Sequence, residues 1–197
     1  MGGSWASGMN LYLTMAILGI AHRMHWLVLP GDADILANPV VLTFAIIMFL
    51  IEFVADKIPY VDSAWDSVHT FIRPFGGAAL GYLAMARAGP EWQIPVAVLT
   101  GSVAMESHLT KATARVAINT SPEPVSNSIA SVTEDAAVVG IIYLVIKHPY
   151  IAAIVVAAFI IIAVWFLKMM FRFLKSVFQR IGKKPEPPSP AVPSKEV

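Results

Sequence analysis

Acidic side chains stand beside long apolar runs at two places in this sequence. Glu134 and Asp135 precede the run 136–146, and Glu52 closes the run 40–51. A charge at the centre of a bilayer costs between about 2.5 and about 17 kcal/mol, depending on the method. Acids in such a position bind or relay a cation or a proton, or they form ion pairs with basic side chains. The pattern therefore favours the handling of a small ion or polar solute.

Other polar side chains accompany these acids. Asp56 lies four residues after Glu52, on the same helical face, although neutralisation of a helix end by Lys57 is the alternative. Ser126 and Asn127 lie near the start of a helix, where their oxygens can hold a cation or simply cap the helix. The candidate residues for binding a substrate or ion are Glu52, Asp56, Ser126, Asn127, Glu134 and Asp135.

A polar stripe follows the first pair of acids. Asp62, Asp66, His69 and Arg73 are spaced four, three and four residues apart, so they share one face of a helix. We expect an amphipathic helix over 61–72 at the membrane surface. Two carboxylates and an imidazole can ligate a divalent cation, which makes Asp62, Asp66 and His69 candidate metal ligands. A run of structural side-chain pairs is the alternative, and no other cofactor is indicated.

Basic residues form a second stripe. His108, Lys111 and Arg115 are spaced three and four residues apart, and we expect them to pair with the acidic stripe of Asp62 and Asp66. Structural neutralisation is favoured over anion binding. The candidate residues for balancing charge are Lys57, Arg73, His108, Lys111 and Arg115.

The composition indicates the elements that must position these side chains. Only 14% of the 197 residues are charged and 57% are hydrophobic, whereas soluble domains are about 25% charged. A helix needs about 20 mostly apolar residues to cross a bilayer. We predict an all-α, polytopic integral membrane bundle with a loose internal duplication of a helix–polar segment–helix unit. Its six hydrophobic segments are 9–29, 39–55, 74–88, 92–105, 129–146 and 150–166.

Two glycines suggest how two of these segments pack. Pro74 is expected to begin a helix, and Gly77 with Gly81 forms a Gly-x-x-x-Gly pattern. Small residues at this spacing let helix backbones approach closely in lipid. Helix packing is therefore the favoured role of this segment.

The chain divides into four regions. Residues 1–8 are expected to be a flexible N-terminus or an added remnant, with Met9 as the natural start, and 9–167 form the transmembrane domain. Residues 168–184 are predicted to form a basic amphipathic cytoplasmic helix that binds anionic lipids. Residues 185–197 are predicted to be a disordered tail. Lys and Arg counts place both termini in the cytoplasm. Cysteine is absent, which excludes disulfides and thiol chemistry, and nothing supports nucleic-acid binding.

The polar residues also resemble a known family. Two blocks carry the resemblance, Glu52-Phe-x-x-Asp56-Lys57-x-Pro59-x-Val61-Asp62-x-x-Trp65-Asp66-x-x-His69-x-x-x-Arg73-Pro74 and Ser107-His108-x-x-Lys111-Ala112 through Glu134-Asp135. They are similar to the bacterial membrane family called domain of unknown function 4126, over roughly residues 10 to 175. The resemblance implies that these polar residues belong to one motif set and that the protein lies in a bacterial inner membrane. It implies no activity.

These observations favour a channel or transporter for a small ion or polar solute, with its clustered carboxylates and His near the cytoplasmic side. One alternative is a non-transporting scaffold or assembly protein whose charges form a structural ion-pair network. Another is a metal-dependent membrane enzyme that acts on lipid headgroups. The pattern favours a non-enzymatic role, in a homo-oligomer within the lipid bilayer.

Overall fold

The protein is helical throughout the part that the structure describes. The computed structural model describes residues 1–119 and 124–182, without the side chains of 124, 174 and 176–182. These residues form seven α-helices, a 3-10 helix at Ala33–Ala37 and no strand, which confirms the all-α class. The α-helices are α1 Gly2–Met9, α2 Leu11–Arg23, α3 Pro39–Ala55, α4 Val61–Ala84, α5 Pro90–Asn119, α6 Pro124–Lys147 and α7 Pro149–Gly182.

Local sequence explains where several helices begin. Prolines occupy the first position of α3, α5, α6 and α7, where the missing N–H has no partner to lose. Asn38 caps α3 by accepting a hydrogen bond from the backbone N–H of Val40 at 2.9 Å. Asn10 caps α2 in the same way, with Leu13 N–H as the donor at 2.9 Å.

Helix α4 differs from the expectation for Pro74. It runs from Val61 to Ala84 with Pro74 in its interior, so the prediction that Pro74 begins a helix is wrong. The expected surface helix over 61–72 is the first half of α4. An interior proline costs about 3 kcal/mol or more, and close packing along α4 opposes that cost.

That close packing depends on the two glycines. A Cβ on Gly77 would collide with Ala104 of α5, and one on Gly81 would collide with Thr100. Side chains at these positions would therefore push α4 and α5 apart. The predicted packing role of the Gly-x-x-x-Gly segment is confirmed.

The N-terminal residues also differ from expectation. Residues 1–8 were expected to be flexible, yet Gly2–Met9 is a helix with a buried centre. The Ser4 hydroxyl donates to the backbone oxygen of Thr100, and the Trp5 ring stacks on Phe159 at 5.0 Å. A Cβ on Gly8 would collide with Ser107 and with the Ala104 carbonyl. Small residues let α1 lie directly against α5, which is why a segment of low hydropathy is ordered.

Helices α1 and α2 are separated by a single residue. Asn10 has extended backbone angles (φ −149°, ψ 101°) and is buried. The first helical segment, residues 2–23, is therefore a broken helix, with its break at Asn10 inside the protein.

Helices α3 and α4 expose apolar side chains and bury charged ones. On α4, Phe71 and Phe75 are 73% and 76% exposed, whereas Asp62 and Arg73 are fully buried. On α3, Val40 is 77% exposed. This arrangement is the reverse of that in water-soluble proteins, in which ionised side chains stay at the surface.

Two helices are long and apolar enough to cross a membrane. They are Val125–Lys147 and Pro149–Phe173, and only 22% and 17% of their most apolar stretches are buried, unlike the core helices of soluble proteins. Leu11–Arg23 and Pro39–Ala55 are apolar but shorter. The structure thus supports membrane association at the level of two candidate spans rather than six.

The C-terminal basic segment continues the last of these helices. Helix α7 extends without a break to Gly182, and Lys168, Arg172 and Lys175 are exposed along it. The predicted tail 185–197 and the last two residues of the predicted basic helix lie outside the described residues.

Candidate functional site

Four helices contribute ionisable side chains to one buried cluster. Helix α3 and its C-terminal cap residue supply two of its acids, α4 two acids and a base, α5 two bases and α6 one acid. We define the charge cluster as Glu52, Asp56, Asp62, Asp66, Arg73, Lys111, Arg115 and Glu134. Every side chain in it is buried except that of Glu134, which is 13% exposed.

Lys111 lies between four of the carboxylates. Its Nζ is 2.9 Å from Asp56 Oδ2 and 3.5 Å from Glu134 Oε2. The same atom is 3.8 Å from Glu52 Oε1 and 3.9 Å from Asp66 Oδ1. One ammonium group therefore joins acids from α3, α4 and α6 and the α3 cap residue Asp56.

Arg73 links the cluster to the break in the first helix. Its Nη2 forms a close ion pair with Glu52 and lies 3.6 Å from Asp66 Oδ1. Its Nη1 donates to the Gly8 carbonyl at 3.0 Å, in the last turn of α1. Cations at a helix C-terminus are stabilised by the free carbonyls there. Arg73 thus fixes the end of α1 against the acids of the cluster.

His108 continues this arrangement on the far side of Arg73. Its Nδ1 lies 2.9 Å from Arg73 Nη1, and its Nε2 lies 2.9 Å from the Thr70 hydroxyl. A guanidinium can only donate, so Nδ1 accepts and the proton is on Nε2. The Thr70 hydroxyl in turn donates to the Asp66 carbonyl at 2.9 Å. His108 is therefore a neutral hydrogen-bonding group beside the cluster.

Arg115 connects the remaining helices. Its Nε and Nη2 donate to the two oxygens of Glu134 at 3.0 and 2.7 Å. Its Nη1 donates to the backbone oxygens of Asp56 and Asn127 at 3.2 and 3.1 Å. Asp62 Oδ1 lies 3.8 Å from Nη1. The ion pairs of Arg115 with Asp62 and of Lys111 with Asp66 match the expected pairing of the two stripes.

The cluster has more acids than bases. It contains five carboxylates and three cations, so it carries a net charge of −2 when all are ionised. Several buried carboxylate oxygens have no hydrogen-bond donor among the described residues: Glu52 Oε2, Asp56 Oδ1, Asp62 Oδ1 and both oxygens of Asp66. A buried ionised carboxylate without donors is costly. The burial of these oxygens is therefore not offset by a hydrogen bond within the described residues.

Asp62 lies in the first turn of α4. Its Oδ2 accepts a hydrogen bond from Asn119 Nδ2 at 3.1 Å. This contact joins the start of α4 to the end of α5.

Asp135 and Lys57 lie beside the cluster. Asp135 Oδ1 accepts a hydrogen bond from Asn10 Nδ2 at 3.0 Å, so it faces the break in the first helix. Lys57 Nζ donates to the Phe53 carbonyl at 2.8 Å and lies 3.4 Å from the Ser131 hydroxyl. Among the described residues it forms no ion pair, so its predicted charge-balancing contact is not made there.

Of the two candidates at the start of α6, Asn127 contacts Arg115 through its backbone oxygen. Asn127 is buried, and its side-chain amide has no hydrogen-bond partner within the described ranges. Ser126 is half-buried in the first turn of α6. The unpaired amide of Asn127 supplies one more polar group at the edge of the cluster.

Both ring nitrogens of His69 have partners other than the acids with which it is predicted to bind a metal. Its Nε2 lies 3.1 Å from the Tyr12 hydroxyl and its Nδ1 lies 2.8 Å from the Trp65 carbonyl. Asp62 and Asp66 belong instead to the charge cluster. In the parts of the chain that the structure describes, no three His, Asp or Glu side chains are arranged to hold a metal ion.

The sequence did not point to three of the residues around the site. Asn10, Tyr12 and Thr70 hydrogen-bond to Asp135, His69 and His108 respectively. Only Asn10 carries a local signal, because an asparagine inside an apolar run marks a helix cap. The other two become relevant only when the helices pack.

The family comparison agrees with the resemblance in the sequence. The family model described as Domain of unknown function (DUF4126) matches residues 1–169. The chain belongs to the DUF4126 family. The DUF4126 match includes the broken first helix and the whole charge cluster, so both lie within the family domain. No curated protein and no solved structure matches the chain.

Proposed function

We propose that this DUF4126 protein is a polytopic membrane protein that forms a channel or transporter for a small ion or polar solute. The single observation that carries the proposal is a charge cluster enclosed by helices whose outward faces are apolar. Ionised side chains inside a membrane bundle generally mark an ion or substrate pathway.

Helix lengths support a membrane bundle. At 1.5 Å per residue, α3 is about 25 Å long and α4 to α7 are each longer than about 35 Å. Helices α1 and α2 contain 8 and 13 residues, which give about 32 Å of helix in total. The hydrocarbon core of a bilayer is about 30 Å thick, and tilt or local thinning accommodates small differences. Six spans follow if α1 and α2 form one broken span, with both termini on the cytoplasmic side.

The excess of acids supports a cation or proton as the species that moves. Glu52 and Asp56 each have one oxygen without a donor among the described residues, and both contact Lys111. A proton or small cation at these oxygens would offset the net charge of −2. In this proposal Glu52, Asp56, Glu134 and Asp135 bind or relay the ion, Asp62, Asp66 and His69 gate it, and Arg73, Lys111 and Arg115 balance its charge.

The broken first helix favours movement over a fixed structure. Membrane transporters often bind their substrates at discontinuous helices near the middle of the bilayer. Here the break at Asn10 lies directly beside Asp135, and the end of α1 is held by Arg73. A change in the charge of Asp135 or Arg73 would alter the contacts that hold α1 and α2.

One observation favours a second candidate function, a scaffold or assembly protein with a structural ion-pair network. Each cation of the cluster has at least two carboxylates within 4.0 Å. In a scaffold, the swapped pair Arg115→Glu with Glu134→Arg should restore the stability that either single change removes. A transporter with this swap should be folded but inactive.

The basic end of α7 supports attachment to a membrane surface. Lys168, Arg172 and Lys175 are exposed there, and Phe171 lies among them. Basic and aromatic side chains together bind anionic headgroups. We place this end at the cytoplasmic leaflet and regard a homo-oligomer as the assembled form.

Ion flux through reconstituted liposomes tests the proposed function. The purified full chain would be reconstituted, and entry of H⁺, Na⁺, K⁺ and glycerol would be followed with dyes and by light scattering. Flux of at least one species above that of protein-free liposomes is expected. Absence of flux for all of them, with the protein correctly inserted, would favour the scaffold.

A further inference from the structure

Glu106 lies on α5, away from the charge cluster. It precedes His108 by two residues, which places it about 200° around the helix from that side chain. Both carboxylate oxygens are shielded, and they have no hydrogen-bond partner among the described residues. The residues that line the groove around Glu106 include no Lys, Arg or His. Glu106 is therefore an acid with no counter-ion in the described part of the chain.

This carboxyl group lies in an apolar groove. The groove has a volume of about 560 Å³ and lies between α4, α5 and α7. Its walls include Phe75 and Tyr82 of α4, Val98 of α5 and Leu167 of α7. Phe75 is exposed at the outer surface, so the groove opens toward the apolar exterior of the bundle. Volumes of 300 to 1,000 Å³ are typical of small-molecule sites.

The chemistry of the groove selects for one kind of ligand. A carboxylate in apolar surroundings is costly unless a cation or donor accompanies it. An inorganic cation would leave the apolar walls uncovered, whereas a neutral lipid chain would leave the acid unpaired. A cation with an apolar body satisfies both, because its charge pairs with the acid and its body covers the walls.

We propose that the groove is a binding site for amphipathic organic cations, with the positive group at Glu106 and the apolar body against Phe75, Tyr82 and Leu167. The choice follows from two properties of the groove. The lone acid is complementary to a cation, and the walls are complementary to an apolar body. The site is independent of the charge cluster, so it does not rest on the proposed transport function.

Binding of tetraphenylphosphonium to the purified full chain in detergent micelles tests this site. Equilibrium dialysis against protein-free micelles should show saturable binding to the wild type. Glu106→Gln should weaken it at least tenfold. Glu91→Gln is the matched control, because it makes the same change at an exposed position of the same helix and should leave binding unchanged.

A second variant and a neutral probe separate binding from folding. Val98→Trp fills the groove from its outer side and keeps the carboxyl group, so it should also abolish binding. Triphenylphosphine oxide, which has no net charge, should bind more weakly than the phosphonium and should not distinguish Glu106→Gln from the wild type.

Three results would overturn the proposal. The first is no saturable phosphonium binding to the wild type, and the second is equal binding to Glu106→Gln and the wild type. The third is a change in oligomeric state in Glu106→Gln with binding unaffected, because a second copy of the chain would then be the occupant of the groove.

Discussion

Arg115 binds both carboxylate oxygens of Glu134, through Nε at 3.0 Å and Nη2 at 2.7 Å. Two parallel charge-assisted hydrogen bonds of this kind fix orientation as well as distance. They join α5 to α6 inside the protein. Because Arg115 also donates to the backbone of Asp56 and Asn127, one side chain sets the positions of three chain segments.

Removal of this cation should destabilise the fold strongly. Arg115→Met leaves Glu134, Asp62 and Asp56 without their shared partner, and breaking a buried ion pair costs about 3–5 kcal/mol. Denaturant unfolding of the full chain in micelles, followed by tryptophan fluorescence, would measure the loss. The exposed change Arg172→Met is the control and should cost little. Adding Glu134→Gln to Arg115→Met should recover part of the loss, and failure to do so would argue against this pairing.

Close contact between α1 and α5 should depend on Gly8. A Cβ on Gly8 would collide with the Ala104 carbonyl, and backbone cannot move aside easily. Gly8→Ala should therefore lower the unfolding temperature clearly. Gly140→Ala is the matched control, because nothing lies within 4 Å of its Cβ, and it should be neutral or should stabilise α6 by about 0.5–1 kcal/mol. Equal behaviour of the two variants would contradict the buried position of α1.

The sequence predicted the polar faces of the helices well. The spacing of Asp62, Asp66 and Arg73 places them on one side of α4, and that of Lys111 and Arg115 places them on one side of α5. Spacing alone is sufficient because helical periodicity is local. The ion pairs between these faces follow from charge, once the helices are known to be neighbours.

Other features depend on tertiary packing and were not visible in the sequence. The N-terminal helix is buried because Gly8 and Ser4 fit against the backbone of α5, although the hydropathy of the segment is low. Pro74 lies inside α4 because close packing at Gly77 opposes its local cost. His69 turns to Tyr12 rather than to the acids that share its stripe. In each case a contact distant in the chain determines the outcome.

The central claim is that the charge cluster acts on a moving ion. Ion flux through liposomes that contain Glu134→Gln tests this claim most directly. Glutamine retains the shape of Glu134 and one acceptor for Arg115 but removes a negative charge. The account predicts that the H⁺ or cation flux of the wild type falls at least tenfold in Glu134→Gln, with an unchanged elution profile that shows the variant to be folded. Glu91→Gln should retain full flux. Undiminished flux in folded Glu134→Gln would contradict the account.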